Sequence, residues 1–213
     1  MKNKKTWLIT ICAAVLLMAV TVGTLAFLTD RDEVKNTFTI GDVQITLDEA
    51  KIENGVVTNE RTTDGNNYHL IPGKTYVKDP TMTVLSGSEE AYVRMLVTVS
   101  NRAALDEIFE THGFALTDIF KNFNDAWVLT DTDRSGADTI VYEFRYKSTV
   151  TAKDAEAKLP ALFTEIAVPG EVTRDEMQSI AGLSITVVGE AIQAETFDSA
   201  DAAWAAFDKQ VNQ

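Results

Sequence analysis

Apolar and polar residues alternate along much of this chain, and alternation at a period of two predicts half-buried strands. Residues 91–99 carry the strongest such pattern. Val93, Met95, Val97 and Val99 share the parity expected to face a core, while Tyr92, Arg94 and Thr98 are expected to face out. Residues 139–146 repeat it with Ile140, Tyr142, Phe144 and Tyr146 inward, and they form a predicted hairpin with Trp127, Val128 and Leu129 across the polar loop 130–138. Residues 162–168, closed by Pro169-Gly170, and residues 183–192 predict two more strands. Earlier in the chain, Phe38 and Ile40 share one parity and Val43, Ile45 and Leu47 the other. The slip at Gly41-Asp42 predicts a bulge or bend within a single first strand. Residues 54–67 are polar and predict an exposed loop. Residues 68–84 contain Pro72-Gly73 and Pro80, which place that strand pair at a sheet edge.

The period becomes helical between residues 102 and 123. Leu105, Ile108 and Phe109 form one face, and Leu116, Ile119, Phe120 and Phe123 form another. The break at His112-Gly113 makes this stretch a helical insertion of two short helices packed over one end of the strands. At the end of the chain, Ala200, Ala203, Trp204, Phe207 and Val211 fall at helical spacing behind Ser199, a side chain suited to cap the first turn. The elements predict a mainly β domain over residues 27–213: a jelly-roll-like β-sandwich with peripheral short helices and a C-terminal helix.

The first residues follow another logic. Lys2, Lys4 and Lys5 precede an uncharged span over residues 7–28, the arrangement of a secretory signal peptide over residues 1–26. Thr24-Leu25-Ala26 offers small residues at the exit, and Gly23 loosens the helix ahead of them, so cleavage is expected between Ala26 and Phe27. About 20 apolar residues also suffice to span a bilayer, so a retained anchor is the other reading of the same span. The single cysteine, Cys12, lies inside the span, and the chain beyond it has no disulfide to rely on.

A net charge of −13 disfavours nucleic acid and anionic lipid as partners and suits solubility outside the cell. On this reading, membrane contact is made only through an uncleaved signal peptide.

The residues Gly23-Thr24-Leu25-Ala26-Phe27-Leu28-Thr29-Asp30, followed by Asn36-Thr37-Phe38-Thr39-Ile40-Gly41-Asp42-Val43, resemble the export-and-start signature of the TasA/camelysin family. These are secreted proteins of Gram-positive bacteria processed by a SipW-type signal peptidase. The similarity continues more loosely through Pro72-Gly73, Lys78-Asp79-Pro80, Tyr92-Val93-Arg94 and Leu162-Phe163. It implies a jelly-roll subunit of extracellular biofilm matrix fibres, polymerised by donor-strand exchange, and for the camelysin branch a metallopeptidase activity.

The donor role is expected of residues 27–37, which would add as a strand to a neighbouring subunit with Phe27, Leu28 and Val34 as anchors; Phe38 to Leu47 is expected to be the first strand of its own domain. Head-to-tail addition of this kind does not close on itself and gives filaments, so the partner is a second copy of the chain.

Candidate chemistry is sparse. A zinc peptidase is expected to carry HExxH, and the two histidines, His69 and His112, stand in separate segments outside any such motif. Asp131, Asp133 and Ser135, followed by Gly136, match the start of a calcium loop, but Tyr142 occupies the place of the closing acidic ligand. An acidic hairpin tip is the favoured reading, and no catalytic residue or cofactor is assigned. Three functions remain open: a fibre-forming structural subunit, which is favoured, a secreted camelysin-like metallopeptidase, and a monomeric surface adhesin.

Overall fold

The computed structural model describes residues 29–33 and 36–40 as backbone and residues 43–211 in full. The chain is mainly β. Its strands are β1 (Thr29–Glu33), β2 (Asn36–Ile40), β3 (Ile45–Glu53), β4 (Val56–Thr62), β5 (Thr75–Val77), β6 (Thr81–Val84), β7 (Ser88–Val99), β8 (Phe120–Lys121), β9 (Trp127–Asp133), β10 (Ile140–Tyr146), β11 (Val150–Ala152), β12 (Ala157–Lys158), β13 (Glu165–Ala167) and β14 (Ile185–Gln193). Its helices are α1 (Arg102–His112), α2 (Leu116–Ile119), α3 (Arg174–Ser179) and α4 (Ala200–Val211). The expected signal peptide and the expected cleavage residues Thr24, Ala26 and Phe27 lie outside the described residues, as do Leu28 and Val34.

One antiparallel sheet runs β2-β1-β14-β7-β10-β9, with β11 also on β7; a second runs β12-β6-β3-β4, and a third runs β5-β13-β8. The first two stack as a sandwich. Val93, Met95 and Val97 of β7, with Ile140, Tyr142 and Phe144 of β10, meet Ile45, Leu47, Met82 and Val84 of the second sheet in one core. Gly189 sets the spacing between the layers. A Cβ there would lie 2.5 Å from Met82 Cε and 3.7 Å from Ile45 Cδ1, so any larger residue requires the Met82 methyl to move. The outer face of β7 and β14 is covered in turn by α4, through Ala203, Trp204 and Phe207 packed on Ile192 and Tyr92. Ser199 caps α4 as expected, its Oγ accepting from the Ala202 N–H at 3.2 Å.

Several sequence expectations are corrected. Phe38 to Leu47 is not one strand: β2 belongs to the edge of the first sheet and β3 to the interior of the second. Gly41 and Asp42, where a bulge or bend is expected, lie outside the described residues, between these two strands of different sheets. The expected donor boundary after Thr37 also falls inside β2.

Residues 54–67, expected as a loop, contain β4. Asn54 (φ 52°) and Gly55 (φ 79°) turn the chain directly from β3 into it. Residues 130–133, expected in a loop, extend β9, where Asp131, Thr132 and Asp133 pair with Glu143, Tyr142 and Val141.

The prolines place β5 at an edge as expected, yet β6 is interior, because Pro80 stands just ahead of it where no ladder N–H is required. The helical run stops at Ile119, where Phe120 enters β8. Of residues 162–168 only Glu165–Ala167 is strand; Leu162 and Phe163 reach the core from the preceding turn. Tyr146 is half-buried, edge-to-face against Trp127 at 5.1 Å.

Candidate functional site

The candidate site is the edge of β14 opposite β7. β14 is a long central strand whose inner side chains, Val187 and Ala191, face the sandwich core, while Glu190 and Ile192 face α4. On one side its whole length pairs with β7, from Ile185 opposite Val99 to Gln193 opposite Ala91. On the other side it carries β1, in the register Thr29–Ile192, Asp30–Ala191, Arg31–Glu190, Asp32–Gly189 and Glu33–Val188. β2 then folds back on β1, with Thr29 opposite Ile40 and Glu33 opposite Asn36. The N-terminal hairpin thus forms the last two strands of the sheet, outside a body whose other elements all follow it in sequence. The part of the expected donor segment that is described, residues 29–33, 36 and 37, is paired within its own chain.

A charge network packs on the outer face of β14. Arg94, expected to face solvent, does lie on the outward parity but is only 3% exposed because α4 lies over it. Its guanidinium sits 4.3 Å from the Trp204 ring centroid and 5.2 Å from that of Phe207. Its Nε donates to Glu190 Oε2 at 2.7 Å, and its other nitrogens reach Glu143 at 3.1 Å and Asp208. Burial costs the guanidinium its hydration, and the three carboxylates compensate and hold its pKa above the usual value. Arg94 therefore ties β7, β14, β10 and α4 together directly behind the strand that β1 covers.

The weak calcium candidates sit elsewhere, at the exposed β9–β10 hairpin. Asp131 Oδ1 accepts from the Thr132 N–H at 2.8 Å. Asp133 Oδ1 accepts the Ser135 N–H at 2.7 Å and Oδ2 its hydroxyl at 3.0 Å, bonds that lower the Asp133 pKa. Ser135 thus appears as a partner of Asp133 in a local turn. Among the described residues no three His, Cys, Asp or Glu side chains are grouped to hold a metal. His112 does not meet His69: its Nε2 lies 2.9 Å from Glu176 Oε1, and its ring stacks on Phe114. No helix among the described residues is long and apolar enough to cross a membrane.

A second interior polar group escaped the sequence reading. Val43, Ile45 and Leu47 set the inward parity of β3, and the next residue on that parity is Glu49, 6% exposed. Its Oε2 lies 2.6 Å from Lys78 Nζ, itself buried, and its Oε1 accepts from Asn66 Nδ2 at 2.8 Å. A carboxylate on an inward parity requires a buried partner, and that was the available signal. Glu49, Asn66, Tyr68 and Lys78 line a cleft of about 380 Å³ between β3, the 62–68 segment and the start of β14. No protein-family profile, curated protein or solved structure matches the chain.

Proposed function

We propose that this chain is an exported structural subunit of extracellular fibres, which assembles by laying its N-terminal segment along β14 of a neighbouring copy. The observation that carries the reading is the pairing of β1 with β14. A strand from the extreme N-terminal side of the domain completes the exposed edge of a sheet built from later sequence. The main-chain hydrogen bonds of that ladder are the same whether the strand comes from its own chain or from another, so exchange between copies replaces each bond with its equivalent. Each subunit then gives one strand and receives one, a heterologous contact that propagates.

Fixing β14 from behind through Arg94 and α4 favours this reading, because strand addition needs an acceptor already in register. The basic, apolar start of the sequence supports export, and anchorage of the segment before cleavage would hold assembly back until the chain is outside the cell. The resemblance to matrix fibre proteins points the same way.

The test is negative-stain electron microscopy of purified chain beginning at Phe27. Filaments are expected, and they are expected to disappear when residues 27–37 are deleted. Arg31→Pro, which removes one ladder N–H at full chain length, should shorten or abolish them. Filaments that persist in both variants, with the domain folded by circular dichroism, would overturn the assignment of the donor.

A further inference from the structure

The cluster around Glu49 has the composition and connectivity of a reaction centre. Lys78 supplies an amine at 2.6 Å from Glu49 Oε2, and the two side chains are only 7% and 8% exposed. Asn66 supplies a carboxamide on the other oxygen of the same carboxylate, with Nδ2 to Oε1 at 2.8 Å. The carboxamide is also fixed at both ends by backbone. Nδ2 donates to the Ala50 carbonyl at 2.8 Å, and Oδ1 accepts the Ile52 N–H at 2.7 Å. A nucleophile, a group able to carry protons to and from it, and an acyl carbon with a backbone donor already on its oxygen are thus gathered in one shielded place.

We infer that Lys78 and Asn66 condense spontaneously into an intramolecular isopeptide bond, with Glu49 moving the protons. Glu49 takes a proton from the Lys78 ammonium across the 2.6 Å contact, leaving a neutral amine and a neutral acid. The Nζ lone pair then attacks Asn66 Cγ. For this the lysine side chain swings from the Glu49 oxygen to roughly 3–3.5 Å from that carbon. Negative charge develops on Oδ1, where the Ile52 N–H donates. Glu49 accepts the proton released by Nζ and gives its own to Nδ2. The Cγ–Nδ2 bond breaks, and ammonia leaves through the cleft as ammonium, carrying the last proton and restoring the Glu49 carboxylate. One amide bond forms and one breaks, nothing is oxidised or reduced, and no outside reactant is needed.

The bond would tie the 62–68 segment to the residues leading into β6, in a chain whose single cysteine, Cys12, lies in the signal peptide span. It is independent of how subunits assemble. Subunits that stay monomeric could still carry it, and fibres could form without it.

The test is tryptic peptide mapping of the purified folded chain by tandem mass spectrometry. With the bond in place, trypsin no longer cuts after Lys78. Residues 62–74 and 75–94 then emerge as one branched species, lighter than the two separate peptides by about 17 Da, the mass of ammonia. Glu49→Gln, which keeps a hydrogen-bonding side chain in place, should release residues 62–74 and 75–78 separately. Asn66→Asp should still give the branched species, with about 18 Da lost as water. Separate release of residues 62–74 and 75–78 from folded wild-type chain would overturn the bond. A branched species undiminished in folded Glu49→Gln chain would overturn the role of Glu49. If Glu49→Gln does not fold, the Asn66→Asp chain decides: a water-loss link supports the chemistry and unlinked peptides refute it.

Discussion

The guanidinium of Arg94 lies over the indole of Trp204, 4.3 Å from the ring centroid, and donates to Glu190 on the neighbouring strand. One side chain thereby joins the helix over the outer sheet face to the two central strands beneath it. Trp204 is 1% exposed, so Trp204→Ala should cost about 3–5 kcal/mol in urea-monitored unfolding.

Arg94→Met should be as damaging, by about 3–5 kcal/mol, because it removes the guanidinium from a carboxylate that is 1% exposed. The double variant Arg94→Met/Glu190→Leu should recover much of that loss, since an apolar pair of similar volume carries no desolvation cost. Additive losses in a double-mutant cycle would show that the two residues do not act as a unit.

Acid should loosen the end of the molecule where α3 meets α1. Glu176 closes a capping box on Thr173, accepting its N–H at 2.7 Å and its hydroxyl at 2.8 Å. Those bonds, helped by His112, hold its pKa below the usual carboxylate value. A depressed folded-state pKa stabilises above the unfolded value and ceases to do so as pH falls through the folded one. The contribution is therefore complete at neutral pH and lost in the acid range below the ordinary glutamate pKa. Titration followed by NMR should show Glu176 moving toward the ordinary value in Thr173→Ala.

The β3–β4 turn gives a cleaner measurement of backbone conformation. Gly55 has φ 79°, and a Cβ there would meet nothing within 4 Å. Gly55→Ala should therefore cost about 1–2 kcal/mol, from the left-handed conformation alone. A larger loss in thermal unfolding would mean that the hairpin supports more of the second sheet than its exposure suggests.

β7 was legible by its alternation even though α4 also covers part of its outer face, as it does that of β14, and β10 announced itself because alternation is the direct imprint of a single covered face. β4 did not, because it is solvated on both faces and shows no alternation; the signal was in its turn, Asn54-Gly55, rather than in the strand. The helix α3 was legible only as Thr173-x-x-Glu176, too short to show a period. Arg94 was placed on the correct face, but its burial depends on α4, distant in sequence, and no local pattern records that contact. The same holds for Lys78 and Asn66, which meet Glu49 only when the 62–80 segment folds back on β3.

The central claim is that the N-terminal strand of one copy covers β14 of another, and a disulfide trap reads it directly. Asp30 stands opposite Ala191 in the β1–β14 register, and facing positions in an antiparallel pair lie within disulfide reach. In the chain beginning at Phe27, which contains no cysteine, copies carrying only Asp30→Cys are mixed with copies carrying only Ala191→Cys, assembled and oxidised. The expected result is a disulfide-linked pair, confirmed by peptide mapping to join residue 30 of one chain to residue 191 of the other within filaments. Filaments in which no such cross-link forms, or a mixture that stays monomeric, would contradict strand exchange at β14.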